Sequence, residues 1–409
     1  MKIVVLCPHF EPDTAPTGTV MTRLAHELAR RGHELHLVTA LPWYRSHRIE
    51  DGWDGKIIRR ATTWFGSVTR VHPFPGKDRR NIARRALGFG GFCLLAGWGA
   101  LTAGRKRGSG RVDAVLVMSP PLPLGLVGWA VSRLRRAPVV FNVQDVFPDA
   151  AVETGAITNP RIIAAARWLE RVTYERSDAV TVLSDDLADN VMAKVRPSHR
   201  DAVVMIPNFV DTVAITPLDR LTAYRNELGI GDEFVVMYAG NVGMSQSLEL
   251  LLEAARQMPE VTFVVNGDGS ARKLLEASAA GLANVRFGSF QPAERLSEVL
   301  ATGDLHVVPL RSGLGRVSVP SKTYSILAAG RPILAAIDPG TEVPRILGAS
   351  GAGRAVLPDR PDLFVAELRT MLAAREELAA SGRNGRSWVE HHVSPAAVAE
   401  RYEALFAAL

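Results

Sequence analysis

The chain has 409 residues, of which 47% are hydrophobic and 22% charged, a composition typical of a globular protein with two hydrophobic cores. Cys7 and Cys93 lie in apolar stretches without metal-ligand spacing, so we predict neither a disulfide nor a metal site. The opening residues have the pattern of a strand and not that of a signal peptide, and we therefore expect a cytoplasmic protein.

The basic residues are concentrated in one segment of a chain whose net charge is +6. Between Lys77 and Arg111 lie nine basic residues and one acid, Asp78. Such a segment suits nucleic acid or anionic lipid, and by charge alone a solvated basic surface describes it equally well.

In the first half of the chain, short apolar runs alternate with helical patterns. We predict helices over residues 20–31 and 160–175, the second with Asn159 as its N-cap and Pro160 in its first turn. Because several of the apolar runs are continuous in Val, Ile and Leu, they favour parallel strands covered on both faces. The predicted strands are residues 2–7, 34–39, 57–60, 113–118, 139–143, 179–183 and 203–206.

The same alternation starts again after Asp211. The predicted strands are residues 234–238, 261–265, 285–287, 305–309, 332–336 and 354–357, and the predicted helices are 248–257, 271–280, 292–300, 322–329 and 361–380. The sequence thus predicts two α/β, doubly wound, Rossmann-like domains. They comprise residues 1–206 and 207–393, and a last helix over 394–409 is expected to pack back on the first domain.

Ligands of open α/β sheets bind beyond the carboxyl ends of the strands, so the loops there are the candidate sites. In the first domain Gly18 stands at the entry of the first predicted helix, where it allows a ligand to approach the backbone. Asp145 follows a strand and is a candidate base or ligand for substrate hydroxyls. An ordinary loop and a helix cap are the alternative interpretations of these two residues.

In the second domain, glycine-containing turns follow three successive strands, and their repetition is what indicates a diphosphate site. The candidate residues in these turns are Gly240, Asn241, Gly243, Gly267, Gly269 and Phe290.

A later segment adds a cation to this predicted site. Ser321 is a plausible N-cap for a helix that ends near Gly330, and Lys322 beside it would neutralise a diphosphate leaving group. Glu342 is a candidate ligand for a donor hydroxyl, and an acid that flanks a turn is an equally good interpretation.

Taken in order, several motifs along nearly the whole chain resemble the family-4 glycosyltransferases, in particular the bacterial branch that makes O-antigen, colanic-acid and capsular sugars. The motifs are Phe10-Glu11-Pro12, Arg31-Gly32-His33-Glu34, Gln144-Asp145-Val146-Phe147-Pro148-Asp149, Ile206-Pro207-Asn208, Tyr238-Ala239-Gly240-Asn241 and the segment 320–332.

This resemblance implies a GT-B fold, in which the two Rossmann-like domains face each other across a cleft. It also implies a hexosyltransferase that retains anomeric configuration and uses neither a catalytic metal nor a cofactor. The second domain would hold a nucleotide-diphosphate sugar, with a UDP-sugar as the expected donor, and the acceptor would be a saccharide or a polyprenyl-linked sugar. The product would be a cell-surface polysaccharide or glycoconjugate.

The chain departs from the family pattern at two places. Two glutamates of typical members fall here at Val317 and Ser325, and the turn at 241–246 lacks the usual cations. We expect Ser325 to remain at the donor site, and Lys322, Arg316 or Arg311 to supply the missing charge.

Two other functions remain open on the sequence. A nucleotide-sugar epimerase shares the GT-B fold and donor site, and the missing glutamates also allow a non-enzymatic, membrane-associated binding protein. An NAD-dependent enzyme is disfavoured, because no strand is followed by the three-glycine fingerprint.

Residues 86–104 carry no charge and are flanked by Arg84-Arg85 and Arg105-Lys106-Arg107. The run is a buried helix of the first domain or an apolar surface that dips into lipid headgroups. We favour the second interpretation and expect residues 77–111 to bind the anionic inner face of the plasma membrane, and no nucleic acid.

Overall fold

A computed structural model describes residues 1–45, 48–75, 82–105, 110–149, 157–315 and 319–409, with the side chains of residues 82–87 excepted. The chain forms two compact units, and the division after Asn208 lies two residues beyond the boundary expected from the sequence. Unit 1 is Met1–Asn208 with Val398–Leu409, and unit 2 is Phe209–Ala397.

Unit 1 contains an eight-stranded sheet in the order β3-β4-β2-β1-β5-β6-β7-β8. All neighbouring strands are parallel except β3 and β4, which form an antiparallel hairpin. The strands are β1 (Lys2–Leu6), β2 (Glu34–Ala40), β3 (Ile58–Thr63), β4 (Gly66–Val71), β5 (Ala114–Met118), β6 (Val139–Asn142), β7 (Ala179–Val182) and β8 (Val203–Met205). The helices are α1 (Pro16–Arg30), α2 (Ile82–Thr102), α3 (Pro123–Arg135), α4 (Pro160–Arg176) and α5 (Asp185–Lys194).

The uncharged run at 86–104 lies largely in α2, which packs one face on the core of unit 1. Phe92, Cys93 and Ala96 are buried there, whereas Leu94 and Trp98 are 75% and 61% exposed. The run is therefore a core helix with an apolar outer face, and binding of this face to lipid remains a prediction. The flanking residues Lys77, Asp78, Lys106 and Arg107 and the side chains of Arg84 and Arg85 lie outside the described residues.

None of the helices in the described ranges combines the length and the apolar composition needed to cross a bilayer.

Unit 2 contains a six-stranded, all-parallel sheet in the order β11-β10-β9-β12-β13-β14. Its strands are β9 (Val235–Ala239), β10 (Thr262–Asn266), β11 (Val285–Gly288), β12 (Leu305–Pro309), β13 (Ile333–Ala336) and β14 (Gly353–Val356). Its helices are α6 (Ala223–Glu227), α7 (Glu249–Gln257), α8 (Arg272–Ser278), α9 (Leu296–Thr302), α10 (Lys322–Ala328), α11 (Glu342–Ser350), α12 (Pro361–Ala373) and α13 (Arg375–His392). Short 3₁₀ turns lie at Pro197–Ala202 in unit 1 and Ala293–Arg295 in unit 2.

The helix predicted over 361–380 is wrong in its extent, because the chain breaks at Ala374 and continues as a second helix, α13. The break redirects the chain so that α13 packs closely on the end of α10. A Cβ at Gly382 would lie 2.1 Å from the carbonyl oxygen of Gly330. No proline or glycine marks the break, so the helical pattern alone does not reveal it.

The last helix, α14 (Pro395–Ala408), brings Glu403 onto unit 1. The Glu403 carboxylate pairs with Arg31 at 2.5 Å and with His33 at 2.8 Å. The end of the chain is thereby attached to the turn between α1 and β2.

Candidate functional site

In unit 2 the chain continues from β9 to β10 on one flank of the sheet and from the neighbouring β12 to β13 on the other. Open α/β sheets bind ligands at such a reversal of strand order, beyond the carboxyl ends of the strands. The loops that follow β9, β10 and β11 are joined there by backbone hydrogen bonds. The N–H of Gly240 donates to Asn266 (2.9 Å), and the N–H of Gly267 donates to Gly288 (3.1 Å). These bonds bring the predicted glycine turns together at one edge.

Gly267 is the tightest point of this arrangement. Its φ is +135°, and a Cβ would lie 1.9 Å from the carbonyl oxygen of Gly240. Any side chain there would separate the two loops. Gly269 is similarly close to Val242, since a Cβ would lie 2.4 Å from its carbonyl oxygen.

Lys322 projects from the start of α10 to the end of β9. Its Nζ lies 2.6 Å from the hydroxyl of Tyr238 and 4.0 Å from the centre of that ring. The Tyr238 hydroxyl donates in turn to the backbone carbonyl of Asn241 at 2.5 Å. The missing side chain of Gly240 provides the space, because a Cβ there would lie 3.1 Å from Lys322 Nζ.

No carboxylate of the described ranges pairs with Lys322. Burial of the ammonium group lowers the pKa of Lys322 from 10.5 to about 7. An anion bound beside it would favour the charged form.

The residues around Lys322 differ from expectation in one respect. Ser321 occupies the N-cap position of α10, but its side chain makes no capping hydrogen bond. Its backbone is helical, with φ −57° and ψ −24°, whereas a capping side chain normally requires an extended backbone. Ser325 lies one turn further along α10 and is half-buried.

The alternative cations are not equivalent to Lys322. Arg311 is paired with Glu249 at 2.8 Å, lies 3.7 Å from Asp359 and donates to the carbonyl of Met244. Arg316 and Val317 lie outside the described residues. Among the three candidates, Lys322 is the one that the structure shows without an acidic partner.

The remaining predicted residues of unit 2 surround this edge with different degrees of exposure. Asn241 and Phe290 are exposed, Phe290 to 59%, whereas Gly243 is buried and donates its N–H to Gln246 at 3.0 Å. Glu342 begins α11, is partly buried and lies 3.8 Å from Arg345.

Sequence reasoning missed Tyr238 and Arg272. Arg272 donates to the carbonyls of Gly267 and Gly288, the latter at 2.7 Å, and so links the loops after β10 and β11. Its position as the first residue of α8, after a glycine turn, was the available signal.

In unit 1, Gly18 lies within the first turn of α1, which begins at Pro16, earlier than expected. A Cβ at Gly18 would lie 2.8 Å from Cβ of His9. The close approach that requires glycine is therefore the packing of α1 on the β1–α1 loop.

The same loop contains a histidine–carboxylate pair that the sequence analysis did not single out. Nδ1 of His9 lies 2.7 Å from Asp13, whose side chain is 1% exposed. The spacing of four residues within a strand-end loop was the available signal.

Asp145 is exposed, and the residue before it belongs to a largely buried network of side-chain amides. The adjacent Gln144 bonds to Asn142 at 2.6 Å and exchanges side-chain hydrogen bonds with Asn208. Asn142 in turn donates to the hydroxyl of Tyr402 on α14 at 2.9 Å. Asp145 follows β6 and the loop before Gly18 follows β1, and one strand, β5, lies between β1 and β6 in the sheet.

A cavity of about 700 Å³ lies at the opposite edge of this sheet, near the amino ends of β2 and β4. Its lining includes His36, Arg60, Trp64 and Arg105 and none of the predicted site residues. Within the described residues, no three His, Cys, Asp or Glu side chains are grouped to hold a metal ion.

Two family matches cover most of the chain. Residues 17–208 match the family described as "Glycosyl transferase 4-like domain", and residues 233–374 match "Glycosyl transferases group 1". The chain belongs to the family-4-like glycosyltransferases. The GT-B fold expected for this glycosyltransferase is confirmed.

The glycosyltransferase is 26% identical over 390 residues to the putative colanic acid biosynthesis glycosyl transferase WcaI of Escherichia coli K12, covering 91% of this chain and 92% of that protein. It is 27% identical to the probable glycosyltransferase WbjE of Pseudomonas aeruginosa, with 76% and 82% covered. Among solved structures, sucrose-phosphate synthase from Thermosynechococcus elongatus superposes with a TM-score of 0.71, and Anabaena HepE in complex with UDP with 0.69. Their identities are 17% and 15%, each over the whole of both chains.

Proposed function

We propose that this glycosyltransferase transfers a hexose from a UDP-sugar to a saccharide or polyprenyl-linked acceptor, with retention of anomeric configuration, in the synthesis of a cell-surface polysaccharide. The observation that carries the donor assignment is Lys322, a partly buried cation without an acidic partner among the described residues. It lies at the sheet edge where α/β proteins bind nucleotides.

The chemistry of this edge suits a diphosphate. The anion would complete the ion pair of Lys322, and its charge would be neutralised without a metal ion. As the sugar leaves, negative charge grows on the diphosphate, so the lysine would stabilise the leaving group most in the transition state. The exposed ring of Phe290 and the side chains of Ser321, Ser325 and Glu342 are the proposed contacts to the base, ribose and sugar.

The choice of UDP and of a saccharide product comes from the relatives. HepE is described in complex with UDP and with UDP-glucose, and WcaI is named for colanic acid biosynthesis. We assign the acceptor to unit 1, where the exposed Asp145 offers a carboxylate to sugar hydroxyls.

Calorimetry with UDP tests the donor assignment. Removal of a charge-assisted contact costs about 1.5–3 kcal/mol, so Lys322→Ala should bind UDP roughly 10–150-fold more weakly than the parent. Lys322→Arg should restore part of the affinity, and Lys273→Ala, which removes an exposed lysine of the same unit, should have no effect. Equal affinity of the parent and Lys322→Ala would refute the assignment.

Transfer itself is tested with UDP- and GDP-sugars against p-nitrophenyl glycosides and undecaprenyl-diphosphate-linked sugars as acceptors. We expect an acceptor-dependent product with the donor's anomeric configuration, formed equally well with EDTA present. Conversion of the donor to another sugar nucleotide without acceptor would support the epimerase instead.

We also propose that α2 places the protein at the inner face of the plasma membrane. Leu94 and Trp98 lie one turn apart on its exposed face, and Arg135 binds the carbonyls of Ala100 and Leu101 near its end. A tryptophan and a leucine exposed on one helix face suit insertion among lipid headgroups.

Co-sedimentation with phosphatidylglycerol vesicles tests this partner. The parent should bind at low salt and be largely released at high salt, and Leu94→Ser with Trp98→Ser should abolish binding. Trp168→Ala, which removes a tryptophan exposed to 58% on α4, is the matched control and should bind normally. If the double variant binds like the parent, α2 is not the contact surface.

A further inference from the structure

The β1–α1 loop of unit 1 fixes a histidine ring in one orientation. Nδ1 of His9 lies 2.7 Å from one oxygen of Asp13, and the other oxygen accepts the backbone N–H of Tyr44 at 3.2 Å. The backbone N–H of Asp13 donates to Phe10 at 3.1 Å. The Tyr44 N–H therefore holds the carboxylate of Asp13, and the bond to Phe10 holds its backbone.

Aromatic packing and a glycine restrict the ring further. His9 stacks on Trp43 with 5.7 Å between ring centres and meets Tyr44 edge-on at 5.4 Å. Gly18 contacts the other end of the side chain, because a Cβ there would lie 2.8 Å from His9 Cβ. Alternative rotamers would break these contacts.

This arrangement leaves one functional atom. In a neutral imidazole, the contact with the Asp13 carboxylate favours the tautomer with its proton on Nδ1 and a lone pair on Nε2. The His9 side chain is 12% exposed, and no residue of the described ranges bonds to Nε2. A base oriented by a buried carboxylate is the arrangement by which enzymes present a proton acceptor to a hydroxyl.

The residues around His9 indicate that the hydroxyl belongs to a sugar. His9 follows β1, at the carboxyl edge of the first sheet where Asp145 also lies. Aromatic rings beside a hydrogen-bond acceptor suit a sugar, whose C–H face packs on a ring while its hydroxyls bond to polar atoms. A neutral acceptor suits a hydroxyl better than it suits a phosphate.

We propose that Nε2 of His9 accepts a hydrogen bond from a hydroxyl of the acceptor sugar, with Asp13 as the residue that positions the ring. This inference rests on the proposed function and adds to it a contact in unit 1. His9 is then a catalytic residue, and Asp13 acts through it.

The same loop provides a comparison pair. Nε2 of His26 on α1 lies 3.0 Å from Glu11, so this nitrogen is occupied by the carboxylate. His26 contacts the ring of Phe10 and has the character of a structural link between α1 and the loop. Replacing it disturbs the loop without removing a free Nε2.

The test is a steady-state comparison with the best p-nitrophenyl glycoside acceptor and its UDP-sugar donor. His9→Phe keeps a packed ring without an acceptor, and His9→Gln offers an amide oxygen near the position of Nε2. We expect His9→Phe to lower kcat/KM for the acceptor about 100-fold, with UDP affinity and donor hydrolysis within twofold of the parent. His9→Gln should recover at least tenfold over His9→Phe. Asp13→Asn should lower kcat more than it raises the acceptor KM, and His26→Gln should transfer at the parental rate.

The inference is overturned if His9→Phe transfers within twofold of the parent, if it loses UDP affinity and transfer equally, or if His26→Gln is impaired to the same degree. Should His9→Phe not fold, His9→Leu against His9→Gln provides the same comparison. A parent that neither binds UDP nor transfers sugar would refute the proposed function itself, which is a different result.

Discussion

The loops at the carboxyl ends of the two sheets differ in chemistry, although both units are doubly wound. In unit 2, glycine turns interlock around Lys322, whose ammonium group meets a tyrosine hydroxyl and no carboxylate in the described ranges. In unit 1, the carboxylate of Asp13 orients His9. After β6, the side-chain amides of Asn142 and Gln144 bond to each other next to the exposed Asp145.

The proposed function assigns the donor to unit 2 and the acceptor to unit 1, in line with this difference. A partly buried cation with close backbone turns is suited to an anion, and a fixed imidazole with a carboxylate is suited to neutral hydroxyls. If the assignment is correct, changes in one unit should affect one substrate and leave the other nearly untouched.

The largest effect is expected from Gly267→Ala. The new Cβ would meet the carbonyl oxygen of Gly240 at 1.9 Å with φ at +135°, so overpacking and strain together should cost about 3 kcal/mol of stability. UDP affinity should fall by tenfold or more because the loops after β9 and β10 separate. Gly281→Ala is the control, because an added Cβ there would meet no neighbouring atom within 4 Å. With φ at +87°, this variant should lose only the stability that the unfavourable backbone conformation costs. Thermal unfolding and calorimetry measure both effects, and equal results for the two variants would show that the interlocked turns are unimportant.

The second prediction concerns the pH dependence of UDP-sugar affinity, which should follow the protonation of Lys322. Below pH 7 the ammonium is charged with or without ligand, so UDP-sugar affinity should be highest and constant. Above pH 7 the unliganded protein must take up a proton to bind, and affinity should fall by up to about tenfold per pH unit until the pKa of the complex is reached. Lys322→Arg keeps its charge throughout and should show a flat profile. A flat profile for the parent between pH 6 and 9 would mean that this lysine is not the anion's partner.

The third prediction concerns the interior of unit 1. The hydroxyl of Tyr402 is bonded by Asn142 at 2.9 Å and lies 3.2 Å from Thr181, and the residue is 3% exposed. Tyr402→Phe leaves these buried groups short of a partner and should destabilise the protein by about 1–2 kcal/mol. UDP affinity should be unchanged, because the donor is assigned to unit 2. Loss of UDP affinity in this variant would contradict the separation of roles.

The sequence predicted the fold because parallel strands covered on both faces leave continuous apolar runs, and because unit 2 repeats the pattern of unit 1. The sequence did not predict features that depend on contacts between residues far apart in the chain. The break at Ala374 has no local signal, and α13 lies where it does because Gly382 fits against Gly330, a contact between distant segments.

At the site, sequence reasoning named the strand-end glycines and Lys322 because turns and a helix start are local patterns. It did not find Tyr238 as the partner of Lys322, since this contact joins residues 84 positions apart. His9 and Asp13 were passed over because neither residue type is unusual in a loop, and the pairing depends on Trp43, Tyr44 and Gly18 around them.

The smallest effect compares two serines that precede helices. Ser184 in unit 1 caps α5 by accepting the N–H of Leu187 at 3.3 Å, whereas the side chain of Ser321 in unit 2 makes no such bond. Ser184→Ala should therefore cost about 1 kcal/mol of stability, and Ser321→Ala less than about 0.5 kcal/mol. If Ser321 instead serves the donor, its loss should weaken UDP binding about fivefold, the equivalent of one neutral hydrogen bond of about 1 kcal/mol. Thermal unfolding together with calorimetry separates the two roles, because a cap changes stability without affinity and a ligand contact does the reverse. A stability loss at Ser321 equal to that at Ser184 would make it an ordinary cap and remove it from the donor site.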